Sequence, residues 1–304
     1  MNQDSNLFGL LNLNKLVGMT SREVVNRVQR LVRPLKAGHA GTLDPMASGV
    51  LLVCIGDATR LVSRLQEFSK TYTAEFLLGR SSDTDDSTGN VCIHPEPAVR
   101  PTPEQLVEEL QQLTGVIAQV PPTFSAVHVG GRRAYQLARR GESPDLQPRD
   151  IVVHSIQMHE YSWPKLRLTI ECGSGTYIRS IARDLGRKLG CGAVMSELER
   201  TRIGPFQIAD SLDPDHLSPN TISESLICPL QIVGHLPRYR CVEQDLVDIR
   251  CGRQLMIDQS RLSVSGELSP GAAVVLSVGD PPQLIAIAEV AENHRVQPRT
   301  VFLH

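Results

Sequence analysis

No run of apolar residues in this sequence approaches the roughly 20 that cross a bilayer, and no charged-then-apolar leader opens it. The expected location is the cytoplasm, with no membrane partner. Paired cysteines are also missing. Seven stand at 54, 92, 172, 191, 228, 241 and 251, an odd number with no C-x-x-C pair, which argues for reduced thiols over a disulfide framework or zinc site. Neither sign of charge is in excess. The formal net charge is -2, so overall charge lends no support to a nucleic-acid partner. The phosphate cradles G-x-x-x-x-G-K-[ST] and G-x-G-x-x-G are absent, as are G-x-S-x-G and H-E-x-x-H. Asp83 to Gly89 has the outline of a calcium loop. However, its glycine falls at the seventh position, and His94 stands where the closing glutamate belongs. His94-Pro95-Glu96 opens like a zinc deaminase signature with no P-C-x-x-C to follow. No metal is expected.

What is present is ordinary in bulk and uneven in detail. A length of 304 residues suits one large domain, or a main domain with a small appendage. Arg22, Arg27, Arg30, Arg33 and Lys36 oppose only Glu23 across residues 20–40, and Arg132, Arg133, Arg139, Arg140 and Arg149 oppose Glu142 and Asp145. Such patches can bind phosphates on a neutral protein, although most charge runs are solvated faces.

Periodicity sketches the elements. Residues 7–13 and 50–55 read as buried strands, and Tyr72, Ala74, Phe76 and Leu78 as one face of a half-buried strand. Thr20 and Glu23 form a capping box for a helix carrying Val24, Val25, Val28, Leu31 and Val32, ended by Pro34. Thr102-Pro103 starts a second helix with Leu106, Val107, Leu110 and Leu113 inward. Residues 38–49 read as a glycine-rich loop, and 125–149 as a basic insertion with a helix over 132–140. Leu166, Leu168, Ile170 and Cys172 alternate as a strand. Gly173-Ser174-Gly175 then turns into a helix with Ile178, Ile181, Ala182, Leu185 and Leu189 on one face and Arg179 and Arg183 on another. After a connector at 211–220, short β runs at 272–278, 283–290 and 299–303 indicate a small β-rich terminal domain. The expected fold class is α+β, with a mixed, largely antiparallel sheet flanked by helices. The expected domains are 1–234, with the insertion at 125–149, and 235–304.

Gly38-His39-Ala40-Gly41-Thr42-Leu43-Asp44-Pro45-Met46-Ala47-Ser48-Gly49 resembles the catalytic motif of the bacterial TruB family, the tRNA pseudouridine-55 synthases. Further matches follow in the family's order. They are Lys15 to Ser21, Lys70-Thr71-Tyr72, Gly79 to Gly89, Pro121 to Ala126, Gly131 to Tyr135, Gly175 to Ser180 and Asp184-Leu185-Gly186. The likeness covers about residues 8–210. Leu16 departs from it, standing where the family has proline.

The resemblance implies isomerisation of a uridine in the tRNA T loop after base flipping, without a cofactor. It assigns catalysis to Asp44, with Arg179 as the partner that holds the carboxylate and Tyr72 as an aromatic platform for the base. Tyr177 would pack beneath the base or sugar, and His39 would fill the gap left by the flipped base. Lys15 would contact phosphate or support the site loop, Lys70 would join the RNA contacts, and Arg132, Arg133, Arg139 and Arg140 would clamp the T stem-loop. Residues 235–304 correspond to a PUA-like domain that touches tRNA, yet carry seven Lys or Arg against eight Asp or Glu. The residues read alone leave plainer roles open. Asp-Pro is an ordinary turn pair, Tyr72 fits a core aromatic, and Arg179 fits a solvated helix face. A monomer with no obligatory protein partner is expected. The alternatives are a tRNA-folding chaperone without chemistry and a guide-RNA-dependent synthase.

Overall fold

The computed structural model describes residues 7–302 apart from 98, 265–267 and 293. Its main body is a mixed sheet built on strands β1 (Gly9–Lys15), β2 (Ala37–His39), β3 (Ser48–Ile55), β4 (Lys70–Leu78), β5 (Gly115–Gln119), β6 (Arg149–Ser162), β7 (Lys165–Cys172) and β8 (Ala193–Ile203). The spatial order is β1-β3-β8-β4-β7-β6-β5, with β2 on β3. Every pairing in that order is antiparallel except β8 with β3, where Glu199 meets Ser48 and Arg200 meets Gly49. The late strand β8 thus slots between two early ones. This is the α+β arrangement expected, and the junction places three distant stretches of chain side by side.

Helix α1 (Ser21–Leu31) begins where its capping box dictates. Thr20 Oγ1 accepts the Glu23 amide at 3.1 Å and Glu23 accepts the Thr20 amide at 2.6 Å. Its valines pack on Leu11, Leu13, Leu51 and Val53. Helices α2 (Pro103–Gln112) and α3 (Ile178–Lys188) cover the other part of the sheet through Leu106, Leu110, Ile181 and Leu185, against Phe76, Leu166 and Leu168. Each such side chain, fully withdrawn from water, contributes about 1.5–3 kcal/mol. Among the described residues no helix is long and apolar enough to cross a membrane.

Several boundaries differ from expectation. The first strand runs 9–15 rather than 7–13, and only 40–47 of the glycine-rich stretch is irregular, because its ends join β2 and β3. Val107 is exposed: on α2 it sits about 60° of arc outside the stripe made by Leu106, Leu110 and Leu113. The insertion helix spans only Ala134–Ala138. Gly130 and Gly131, at φ 56° and 80°, make a tight hairpin turn that pairs Arg132–Arg133 with His128–Val129.

A second sheet holds β9 (Arg238–Arg240), β10 (Leu255–Met256), β11 (Ala273–Val278), β12 (Gln283–Ala291) and β13 (Arg295–Val301), in the order β9-β11-β12-β13-β10, with helix α4 (Glu243–Arg250). The last expected run, 299–303, starts earlier here, and residue 303 lies outside the described residues. The sheet shares a core with the main body. Val275, Leu284, Ile287 and Phe302 pack with Leu10, Val50, Leu52 and Leu61, and Arg60 donates to the Val301 carbonyl at 2.6 Å.

Candidate active site

Asp44 stands in the irregular segment between β2 and β3, and one neighbouring turn together with a bond of its own backbone holds that segment in shape. On one side Leu43 is clamped by Ser21, whose hydroxyl accepts the Leu43 amide at 2.9 Å and donates to its carbonyl at 3.2 Å. On the other, the Pro45 carbonyl accepts the Gly18 amide at 2.8 Å and Lys15 Nζ at 3.5 Å. The Ala47 amide closes back on the Asp44 carbonyl at 3.0 Å. The turn from Lys15 to Ser21 therefore grips the residues flanking Asp44 and leaves its side chain a third exposed.

That carboxylate meets Arg179 in a two-pronged pair, with Nε to Oδ2 at 2.8 Å and Nη2 to Oδ1 at 3.1 Å. The guanidinium is only 5% exposed. It also donates to the carbonyls of Thr84 at 3.0 Å and Phe124 at 3.2 Å, and its Nε lies 3.7 Å from Asp86 Oδ2. One of these contacts, from Nη2, is a hydrogen bond and the other a close ion pair, and together they hold both carboxylate oxygens against the guanidinium. Asp86, the second carboxylate near Nε, is itself held in place, accepting from Thr84 Oγ1, the Thr88 amide and Thr88 Oγ1 at 2.6–2.9 Å. One turn along α3, Arg183 pairs with Asp85 at 2.9 Å and donates to the Val120 carbonyl at 2.8 Å. Burial pushes the Asp85 carboxyl up, and Arg183 offsets part of that rise.

Asp44 and Arg179 line a cleft of about 390 Å³ that also includes Tyr72, Lys70, Gln66, Phe124, Ser125, Tyr177, Leu198 and Arg200. Tyr72 reaches it from β4 and is 9% exposed. Burial raises its phenol, and the neighbouring Arg200 guanidinium opposes the rise. Tyr177 precedes α3 and is held by Gln119, which accepts the Tyr177 amide at 2.9 Å and donates to its carbonyl at 3.1 Å. Burial raises the Tyr177 phenol as well.

Asp44, Arg179, Tyr72, Tyr177 and Lys70 thus converge on one cleft. The other expected residues go elsewhere. Lys15 is fully buried, its Nζ spent on the carbonyls of Leu16 at 3.0 Å and Met19 at 2.7 Å as well as Pro45, so it supports the loop and is out of a phosphate's reach. Lys70 is at the cleft but 7% exposed, its Nζ bonded to the Gln66 and Phe68 carbonyls. Burial lowers both lysines to about 8. His39 ends β2 half-buried and is not among the cleft's lining residues. Burial, then Arg22 and Arg200, lowers its pKa and keeps the ring neutral at pH 7. Arg132, Arg133, Arg139 and Arg140 are all exposed on the insertion. Its base meets the site, since Phe124 shares the Arg179 guanidinium and the Ser125 carbonyl accepts the Tyr135 amide at 3.0 Å.

Sequence reasoning missed Asp86, Gln119, Ser21 and Arg200. The first and third lie inside motifs that had been recognised without a role for those positions. The other two are single residues whose partners are far away in the chain.

Comparison with known proteins identifies the family. Residues 29–178 match the model of the TruB family pseudouridylate synthase N-terminal domain, and residues 179–226 match the tRNA pseudouridylate synthase B C-terminal domain. The tRNA pseudouridine synthase B of Microcystis aeruginosa (strain NIES-843 / IAM M-2473) is 38% identical over 302 residues, 97% of this chain and 99% of that protein. The protein of the same name from Dehalococcoides mccartyi (strain CBDB1) is 42% identical over 255 residues, 83% of this chain and 85% of its own. Among solved structures, an H/ACA RNP bound to a substrate RNA containing 2'-deoxyuridine shares the fold, with a TM-score of 0.72 and 24% identity over 98% of this chain and 86% of that one.

Proposed function

The chain belongs to the TruB family of pseudouridylate synthases, and from that premise we propose that it isomerises one T-loop uridine of tRNA to pseudouridine, with Asp44 as the catalytic residue. The observation that carries the reading is the two-pronged Asp44–Arg179 pair, in which the cation is buried and the carboxylate is turned to the cleft.

The reaction breaks the N-glycosidic bond, turns the uracil and rejoins it through carbon. No electrons are transferred and no group is lost, so the chemistry calls for no cofactor. It calls for a carboxylate acting as nucleophile or base at the sugar or the ring. Arg179 holds Asp44 aimed at the cleft. Tyr72 and Tyr177 offer aromatic faces to the base and sugar. The target uridine is packed within folded tRNA, and extruding it costs a few kcal/mol. Phosphate contacts from Arg132, Arg133, Arg139 and Arg140 offset part of that cost, in a salt-dependent way. Residues 1–234 carry the chemistry in this reading, and 235–304 act as a PUA-like unit alongside it in the cytoplasm.

The test is to incubate the purified protein with an unmodified tRNA transcript and map pseudouridine. One new pseudouridine in the T loop, with no other component added, is the expected result. Binding without conversion would make the protein a chaperone. Conversion only with an added guide RNA would make it a guide-dependent synthase.

A further inference from the structure

Arg200 is the largest fully buried side chain among the described residues, 1% exposed, and none of the ion pairs among them includes it. A guanidinium removed from water without a carboxylate partner costs several kcal/mol unless its hydrogen bonds are met, and an apolar residue would fill the space more cheaply. Its position accounts for the charge. On β8 it is the residue opposite Gly49 in the parallel ladder with β3, and opposite Tyr72 in the antiparallel ladder with β4. The approach to Gly49 is close: that glycine has φ 105°, and a Cβ there would stand 2.2 Å from the Arg200 carbonyl oxygen. From this crossing point Nε donates to the Val50 carbonyl at 2.8 Å and Nη2 to the Gly41 carbonyl at 3.1 Å. Those carbonyls stand at the two ends of the stretch that carries Asp44.

We propose that Arg200 is a positioning residue for the reaction, one guanidinium that fixes both ends of the Asp44 loop from the strand position opposite Tyr72, and so sets where Asp44 stands relative to that residue across the cleft. This rests on the assignment of Asp44 as the catalytic residue. The charge is also felt by two cleft groups and by Lys15 behind the loop, since it opposes the rise of the Tyr72 phenol and adds to the lowering of Lys70 and Lys15. A lysine at 200 keeps the charge but cannot present donors to two carbonyls in the fixed fork of a guanidinium.

The experiment compares Arg200→Lys and Arg200→Met with the wild type. It measures the single-turnover rate at saturating tRNA transcript, transcript affinity by filter binding, and melting temperature. Arg200→Lys is expected to lose about 10–100-fold in rate, the scale of a sub-ångström to ångström misplacement, with affinity within about threefold and a cooperative melt retained. Arg200→Met is expected to lose more rate, again with affinity kept. Rates within about twofold of wild type in both variants overturn the proposal. So does a rate loss that merely follows a loss of folded protein or of affinity in both, because Arg200 would then serve stability or binding alone. A wild type that converts no transcript would instead refute the functional reading itself.

Discussion

Two sets of cations surround the Asp44 cleft, and the sequence does not distinguish them by residue type. Lys15, Lys70, Arg179 and Arg200 are buried, with their donors committed to backbone carbonyls or, for Arg179, to carboxylates. Arg132, Arg133, Arg139 and Arg140 stand in solvent on the insertion. The contacts described for them are few: Arg133 to the Ala126 carbonyl at 3.4 Å, and Arg139 over the Tyr135 ring at 5.6 Å. A buried cation bound to carbonyls fixes geometry and is insulated from salt. An exposed one acts through its field, which falls off over about 8 Å at physiological ionic strength. The first set should therefore control rate and stability, and the second affinity.

The largest effect that would sharpen this division is Arg179→Lys. An ammonium cannot reproduce both prongs of the pair, so turnover should fall about 10²–10³-fold, while the salt dependence of tRNA binding stays as in wild type. A changed salt slope would place Arg179 with the exposed set. Next comes replacement of Arg132, Arg133, Arg139 and Arg140 together by Gln. Affinity should drop, and each lost phosphate contact should lower the log–log salt slope by roughly 0.7–0.9, with the single-turnover rate at saturation nearly intact. An unchanged slope in salt titrations would mean that the insertion does not grip the backbone.

The smallest effect concerns Lys70. Burial lowers its folded pKa to about 8, below its unfolded value near 10.5. Between those values the unfolded chain binds more protons, so this group makes stability rise with pH through that window and contributes no slope below it. Lys70→Met should remove that rise, up to about 3 kcal/mol, when urea unfolding of the two proteins is compared from pH 8 to 10.5. Parallel curves would show that the carbonyls of Gln66 and Phe68 hold the ammonium charged throughout.

The same division explains what was legible beforehand. Local signals read well. The Thr20–Glu23 box starts α1, alternation marks β4 and β7, and the glycine-rich motif around Asp44, with Gly175 to Arg179, named the pair that meets in space. Those features depend on neighbours in sequence or on a resemblance carried by contiguous residues. Burial of a lysine does not. Lys15 looks like any surface cation until the β1–β3 pairing and the Met19 turn enclose it. Arg200 was invisible for the same reason, since its partners Val50 and Gly41 lie 150 and 159 residues away. No periodicity announces that β8 will insert between β3 and β4, and only that topology turns an ordinary strand arginine into a buried one.

The most direct measurement is the single-turnover rate of Asp44→Asn on an unmodified tRNA transcript, alongside its affinity for that transcript. The substitution is nearly isosteric, keeps a turn-forming side chain before Pro45, and leaves Arg179 with its carbonyl partners and Asp86. It removes what an amide cannot supply, a carboxylate able to act as nucleophile or base. The expected result is wild-type affinity or slightly better, with a rate reduced by at least about 10³-fold, the scale seen when essential catalytic groups are deleted. A variant keeping more than about a tenth of the wild-type rate, a loss under roughly 1.4 kcal/mol in barrier terms, would make Asp44 a turn residue and contradict the account.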